Sequence, residues 1–326
     1  MCMKRIFTLL LVTSLTFSSQ SNTHADESEY LHAHIGGGLS HPPFAFFMAT
    51  WYRDIVYDSS VKNASQTSLD IYVSDPVETP SPVMIWVHGG GYMAGDKAHS
   101  KELDPKPEFF TGKMGFIFVS TNYRLMQEGR YPHGVQDLAN ALTWVQDNIA
   151  QFGGDPEQIY LMGHSAGANM AAQVATNEEF LKQASKNLSL LKGVILVDGN
   201  AYDLKASNIN PRVQAYYGDG WQKAQAVSHV AKGKHIPPFL LLHVAGGSKL
   251  GANTEQQAIA MAGALQSANI RAELVALDHV EHFGANERIG EPDDITTKAV
   301  EQFLLSLPGN KRSSQWIPAQ FSPPPK

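Results

Sequence analysis

The stretch Ile159-Tyr160-Leu161-Met162-Gly163-His164-Ser165-Ala166-Gly167 decides how the rest of the chain reads. Four consecutive apolar residues bounded by turn formers fit a strand buried on both faces, and the residues from about Ala166 onward fit a helix. Between them, Gly163, Ser165 and Gly167 form a G-x-S-x-G pattern. A serine hydroxyl is a weak nucleophile unless a base stands beside it, and a sharp strand-to-helix turn presents such an oxygen at the edge of a sheet. The two glycines remove side chains that would collide inside that turn. Ser165 is thus a candidate nucleophile.

Working outward, the same alternation recurs on both sides. Upstream lie strand-like stretches at Tyr52–Tyr57, Leu69–Val73, Pro82–His88 and Phe116–Ser120, then helical spacing from Val135 to Ile149, where Val135, Leu138, Leu142, Val145 and Ile149 share a face. Gly153, Gly154 and Pro156 stop that helix. Downstream come strands at Gly193–Val197, Phe239–Val244 and Glu273–Leu277, separated by helical stretches from Pro211 and over Thr254–Gln266, with a last helix at Ile295–Leu305. Buried strands alternating with amphipathic helices predict an α/β fold, a mostly parallel sheet with helices on both faces. Ligands of such sheets sit at the carboxyl ends of the strands. The organisation expected is an α/β domain over residues 26–306 with a small cap at about 204–235, followed by a proline-rich tail at 307–326.

Two further groups belong at those carboxyl ends. His88-Gly89-Gly90-Gly91-Tyr92 follows a buried strand, and a glycine run there lets backbone N–H groups turn toward a developing oxyanion. The expected donors are the amides of Gly90, Gly91 and Ala166. For the base, His279 and His282 both follow the last strand, and His282 is preferred because it lies further along the loop and opens the pattern His282, Asn286, Gly290.

These motifs together resemble the α/β-hydrolase family, in its HGGG-bearing esterase and lipase branch, over about Ser68 to Leu305. Asp155-Pro156, the run Ile195 to Leu204 and Ile236-Pro237-Pro238-Phe239 add to the resemblance. It implies an acyl-ester hydrolase acting on small-molecule esters, with no metal or organic cofactor. One family element departs. The acid of the triad ordinarily follows the strand that here is Phe239–Val244, yet Ala245 to Gln257 contains no Asp. Asn253 stands in the matching register and is ranked first as partner of His282, Asp198 second and Glu255 third. The departure leaves two alternatives open: a catalytically weak binding protein on the same scaffold, and an amidase. Protonating an amine leaving group asks more of the histidine, so an ester fits a compromised acid better.

Composition removes whole classes of function. The chain has 326 residues, 43% hydrophobic and 17% charged, which is too apolar for disorder. A single cysteine, Cys2, excludes a disulfide scaffold and zinc–thiolate sites. With 25 basic and 31 acidic residues and no basic run beyond Lys4 and Arg5, nucleic acid is not an expected partner. Lys4 and Arg5 precede the apolar run Ile6–Phe17, and Ser18–Ala25 is small and polar, so residues 1–25 read as an export leader cleaved near Ala25. That run is shorter than the ~20 residues a membrane span needs, so no stable membrane insertion is expected. The expected destination is periplasmic or secreted.

Overall fold

The computed structural model describes residues 49–74, 80–204, 211–218, 221, 224–246 and 253–310. Eight strands form one sheet: β1 (Ala49–Val56), β2 (Ser68–Ser74), β3 (Ser81–Val87), β4 (Ile117–Thr121), β5 (Gly154–His164), β6 (Leu191–Val197), β7 (Phe239–Val244) and β8 (Ala272–Leu277). Their spatial order is β1-β2-β4-β3-β5-β6-β7-β8. The pairings from β4 to β8 are all parallel, whereas β1 with β2 and β2 with β4 are antiparallel. Each strand expected from the sequence is present. β5 begins five residues before Ile159, at Gly154, because Ser81 pairs with Gly154 through a polar stretch that an apolar run does not flag.

The period of two along each strand divides the interior into two cores. Val83, Ile85 and Val87 of β3 join Ile159, Leu161, Val194, Leu196 and Leu241 on one face. Met84 and Trp86 join Phe118, Tyr160, Met162, Ile195, Val197, Leu240 and Leu242 on the other. Both faces are dry, which is why these strands carry no polar side, and each such side chain contributes about 1.5–3 kcal/mol by leaving water. The helices His133–Asn148 and Ala166–Thr176 cover the first core, with Ala258, Met261, Ala262 and Leu265 of the helix Thr254–Ser267. Val300, Phe303 and Leu304 of the helix Ile295–Leu305 cover the second.

Between β6 and β7 the chain forms a short helix, Pro211–Tyr217, and a 3-10 turn, Ala226–His229. Tyr216 and Tyr217 are buried, and Tyr216 stacks on Tyr92 with ring centroids 4.0 Å apart. These tyrosines pack the segment onto the glycine loop after β3. The expected leader, all but the first residues of the proline-rich tail, and the histidines at 32, 34 and 41 lie outside the described residues. Among the described residues no helix is long and apolar enough to cross a membrane, and no group of three or more His, Cys, Asp or Glu side chains could hold a metal ion.

Candidate active site

The loops after β3, β5, β6 and β8 leave the sheet at the same edge, and the candidate residues meet there. Ser165 follows β5 with φ 53° and ψ −116°, a conformation that non-glycine residues seldom adopt and that a surrounding structure must enforce. The enforcement is visible. A Cβ on Gly163 would lie 2.5 Å from the carbonyl carbon of Gly167, and one on Gly167 would lie 2.5 Å from the oxygen of His88. The Ser165 amide donates to the Val197 carbonyl at 3.0 Å, so the turn hangs from the end of β6. Its side chain remains partly exposed at the sheet edge.

His282 reaches this turn from the loop after β8. Its Nε2 lies 3.0 Å from Ser165 Oγ, and its Nδ1 lies 2.6 Å from Asp198 Oδ2. An ionised carboxylate only accepts, so Nδ1 carries the proton and Nε2 is left to accept from the serine hydroxyl. Asp198 sits at the end of β6, 1% exposed, with Oδ1 accepting the Val244 amide at 3.0 Å. Burial works to raise its pKa, but the bonds from His282 and Val244 outweigh burial and hold the carboxyl below its ordinary value. His279 is exposed and lies outside this chain of bonds.

The residue ranked first as partner of His282 is displaced. Asn253 is the N-cap of the helix Thr254–Ser267, its side-chain oxygen accepting the Gln256 amide at 3.3 Å. Glu255 lies in the first turn of the same helix. The carboxylate comes instead from the neighbouring strand: the Asp198 amide donates to the Leu242 carbonyl at 2.7 Å, which lays the end of β6 alongside β7 and beneath the histidine loop. The glycine run also arrives where expected. A Cβ on Gly89 would lie 3.2 Å from Ser165 Cβ, so this loop passes directly against the serine. The Gly89 carbonyl accepts from the Tyr123 hydroxyl at 3.1 Å and from His88 Nδ1 at 2.8 Å, and the Gly90 carbonyl accepts from the Met93 and Ala94 amides at 3.2 Å each. Because a trans peptide points its N–H opposite its C=O, the amides of Gly90 and Gly91 are turned away from those partners. Gly90 and Gly91 reach this geometry with φ of 103° and 61°. Ala166 is the first residue of its helix, so its N–H has no acceptor within the helix and lies at the positive end of the dipole.

Three buried side chains that sequence reasoning passed over brace these loops. His164 Nε2 donates to the His282 carbonyl at 3.0 Å, and burial, followed by the neighbouring His282 ring, pushes its pKa down to about 3, so the His164 ring stays neutral. Glu102 Oε2 accepts the Gly89 amide at 3.3 Å. Lys106, fully buried, donates to the Glu102 carbonyl and, at 2.7 Å, to the Asn286 carbonyl in the histidine loop. Burial lowers its pKa to about 7. A cavity of about 370 Å³ lined by Lys232, Lys234, Ile236, Ile270 and Arg271 opens at the opposite edge, beside the amino ends of β7 and β8.

The BD-FAE family model matches residues 69–216, which include the glycine run, the serine turn and Asp198. Esterase B from Lactobacillus rhamnosis superposes with a TM-score of 0.62 at 18% identity, over 78% of this chain and 84% of that one. The chain has the α/β-hydrolase fold. Esterase 2 of Thermogutta terrifontis, in its butyrate-bound structure, shares this α/β-hydrolase fold with a TM-score of 0.61 and 22% identity, over 77% and 92% of the two chains. Among curated relatives, a probable isoprenylcysteine alpha-carbonyl methylesterase of Oryza sativa subsp. japonica is 28% identical over 200 residues, 60% of this chain and 45% of that protein. A carboxylesterase of Mycobacterium tuberculosis is 39% identical over 106 residues, 32% of each chain. The match therefore spans less than half the length of either relative.

Proposed function

We propose that this α/β-hydrolase is a serine carboxylic-ester hydrolase. The observation that carries the reading is the continuous chain from Asp198 through His282 to Ser165, with links of 2.6 and 3.0 Å. Asp198 holds the imidazole in the tautomer that leaves Nε2 unprotonated and stabilises the imidazolium that forms. Ser165 Oγ attacks the ester carbonyl carbon as its proton passes to Nε2. The oxyanion is met by the amides of Gly90, Gly91 and Ala166, and one such donor is worth about 10²–10³ in turnover. The protonated His282 then gives its proton to the departing alkoxide, leaving an acyl-Ser165. Water, deprotonated by the same Nε2, attacks the acyl carbon and frees the carboxylic acid and the serine.

The names of the relatives, carboxylesterase and methylesterase, support an ester as substrate. The weak-binder alternative rested on a missing carboxylate, and Asp198 supplies one. A fluorophosphonate probe should label the wild-type protein and not Ser165→Ala, and short-chain 4-nitrophenyl esters should be hydrolysed by the first alone. No labelling of the wild type, or undiminished turnover in the variant, overturns the assignment. The charge and apolar pattern of residues 1–25 further supports export, which would place this chemistry outside the cytoplasm.

A further inference from the structure

We infer that Phe283 forms the alcohol side of this site and makes it favour esters whose alcohol part carries an aromatic ring. The inference rests on the esterase reading and adds to it the substrate class. Among the described residues six large apolar side chains are exposed, and Phe283, 51% exposed, is the only ring among them. It directly follows His282, which is buried. The two rings meet edge to face, with centroids 5.3 Å apart and planes at 69°. The buried His164 ring lies 6.4 Å from Phe283 as well. The backbone here is pinned: the Phe283 carbonyl accepts the Asn286 and Glu287 amides at 3.0 and 2.8 Å, and the His282 carbonyl before it is held by His164. A half-exposed phenyl ring on a fixed backbone, packed against two imidazoles, offers its remaining surface to a group that enters beside His282.

The chemistry fixes which half of an ester lies there. His282 Nε2 delivers its proton to the departing oxygen, so that oxygen comes within hydrogen-bond reach of the imidazole, about 2.6–3.2 Å. The alcohol substituent therefore starts from the imidazole edge, whereas the carbonyl oxygen faces the glycine loop. Ser165 Oγ is 3.0 Å from Nε2. That bond, the 5.3 Å between the ring centroids and the radius of the imidazole, laid end to end, put the phenyl centroid at most about 10 Å from the attacking oxygen. An alcohol with a ring two or three bonds from its oxygen spans this gap, since each C–C bond adds about 1.5 Å. Its ring can then pair with Phe283 at the centroid spacing of about 4.5–7 Å that aromatic rings prefer, and the pairing takes the exposed half of Phe283 out of water. A small alkyl alcohol such as ethanol makes neither gain.

Three substrates test the inference and separate the two sides of the ester: ethyl butyrate, 2-phenylethyl butyrate with a ring on the alcohol, and ethyl 4-phenylbutyrate with a ring on the acyl chain. Release of acid is followed by pH-stat titration. Comparing wild type with Phe283→Ala cancels the intrinsic reactivity of each ester. The ratio of kcat/KM for 2-phenylethyl butyrate to that for ethyl butyrate should fall about tenfold, the size of one aromatic pair with the area it buries, while the ratio for the acyl pair changes by less than about twofold. Phe283→Tyr should keep the wild-type ratio. Phe283→Leu, which stays apolar without a ring, should keep part of it, and it carries the comparison if Phe283→Ala does not fold. An unchanged ratio for the alcohol pair, or an equal fall for the acyl pair, overturns the inference and leaves the esterase reading intact. So does an equal loss on all three esters, the result if the ring only shields the His282–Asp198 pair. Wild-type protein inert toward all three esters overturns both readings.

Discussion

Replacing Asp198 with Asn tests the proposed Asp198–His282–Ser165 chain most sharply, because it preserves shape and removes one property. The Asn side chain can still offer an oxygen to the Val244 amide, which now donates to Asp198 Oδ1 at 3.0 Å. Its NH₂ group then faces His282 Nδ1 across the 2.6 Å gap that Oδ2 now spans. Two N–H donors cannot face one another, so the imidazole shifts its proton to Nε2, where it blocks acceptance from Ser165 Oγ. The equivalent tautomer trap in a serine protease lowers turnover by about 10⁴, which at 1.36 kcal/mol per decade is about 5.4 kcal/mol of transition-state stabilisation. The companion variant is Asn253→Ala. Its cap bond is 3.3 Å long and solvent-exposed, so its loss should cost about 0.5 kcal/mol of stability, the low end for an N-cap, and leave kcat unchanged. Turnover of a 4-nitrophenyl ester and urea midpoints measure both effects. Asp198→Asn retaining kcat within about tenfold of wild type, or Asn253→Ala losing more than about a hundredfold, would refute the reasoning, because either lies far from the tautomer penalty.

The buried amine and the leader give two more predictions. The folded-state pKa of Lys106, about 7, lies below the ~10.4 of an exposed lysine, so between these values the unfolded chain binds the extra proton and stability rises with pH. This contribution is complete above pH ~10.4 and is lost as pH falls through about 7, so the urea midpoint should climb from pH 7 to 9 in the wild type and climb less in Lys106→Met; identical profiles would show that the amine does not titrate there. Expressed in a bacterium, the full chain should be recovered outside the cytoplasm with a new amino terminus at about Asp26, and amino-terminal sequencing that begins at Met1 would remove the export reading.

The buried strands and the serine turn were readable in one dimension because both follow from local rules. A strand covered on two faces has no polar residues to interrupt it, and a strained turn demands glycine on either side of Ser165. The glycine run after β3 and the choice of His282 over His279 were legible for the same reason, as residue types placed at strand ends. Which side chain meets His282 Nδ1 was not legible. Asn253 occupies the expected position along the chain, but Asp198 occupies the expected position in space, at the end of β6 with its backbone bonded to β7. One signal was available: an aspartate closing the run Val194-Ile195-Leu196-Val197 ends a fully buried strand, where a carboxylate is costly unless something bonds it.

What the sequence determined by itself was the set of elements, their mostly parallel arrangement, and the turn that holds Ser165 between its flanking glycines, since each depends on periodicity or on steric limits within a few residues. Only the tertiary structure decided the contacts between distant segments. These are the pairing of His282 with Asp198 and the bond from Lys106 to the histidine loop. The physical reason is the same in each case. A hydrogen bond or an ion pair is fixed by distance and direction in space, and segments 84 or 180 residues apart in the chain carry no local pattern that encodes either.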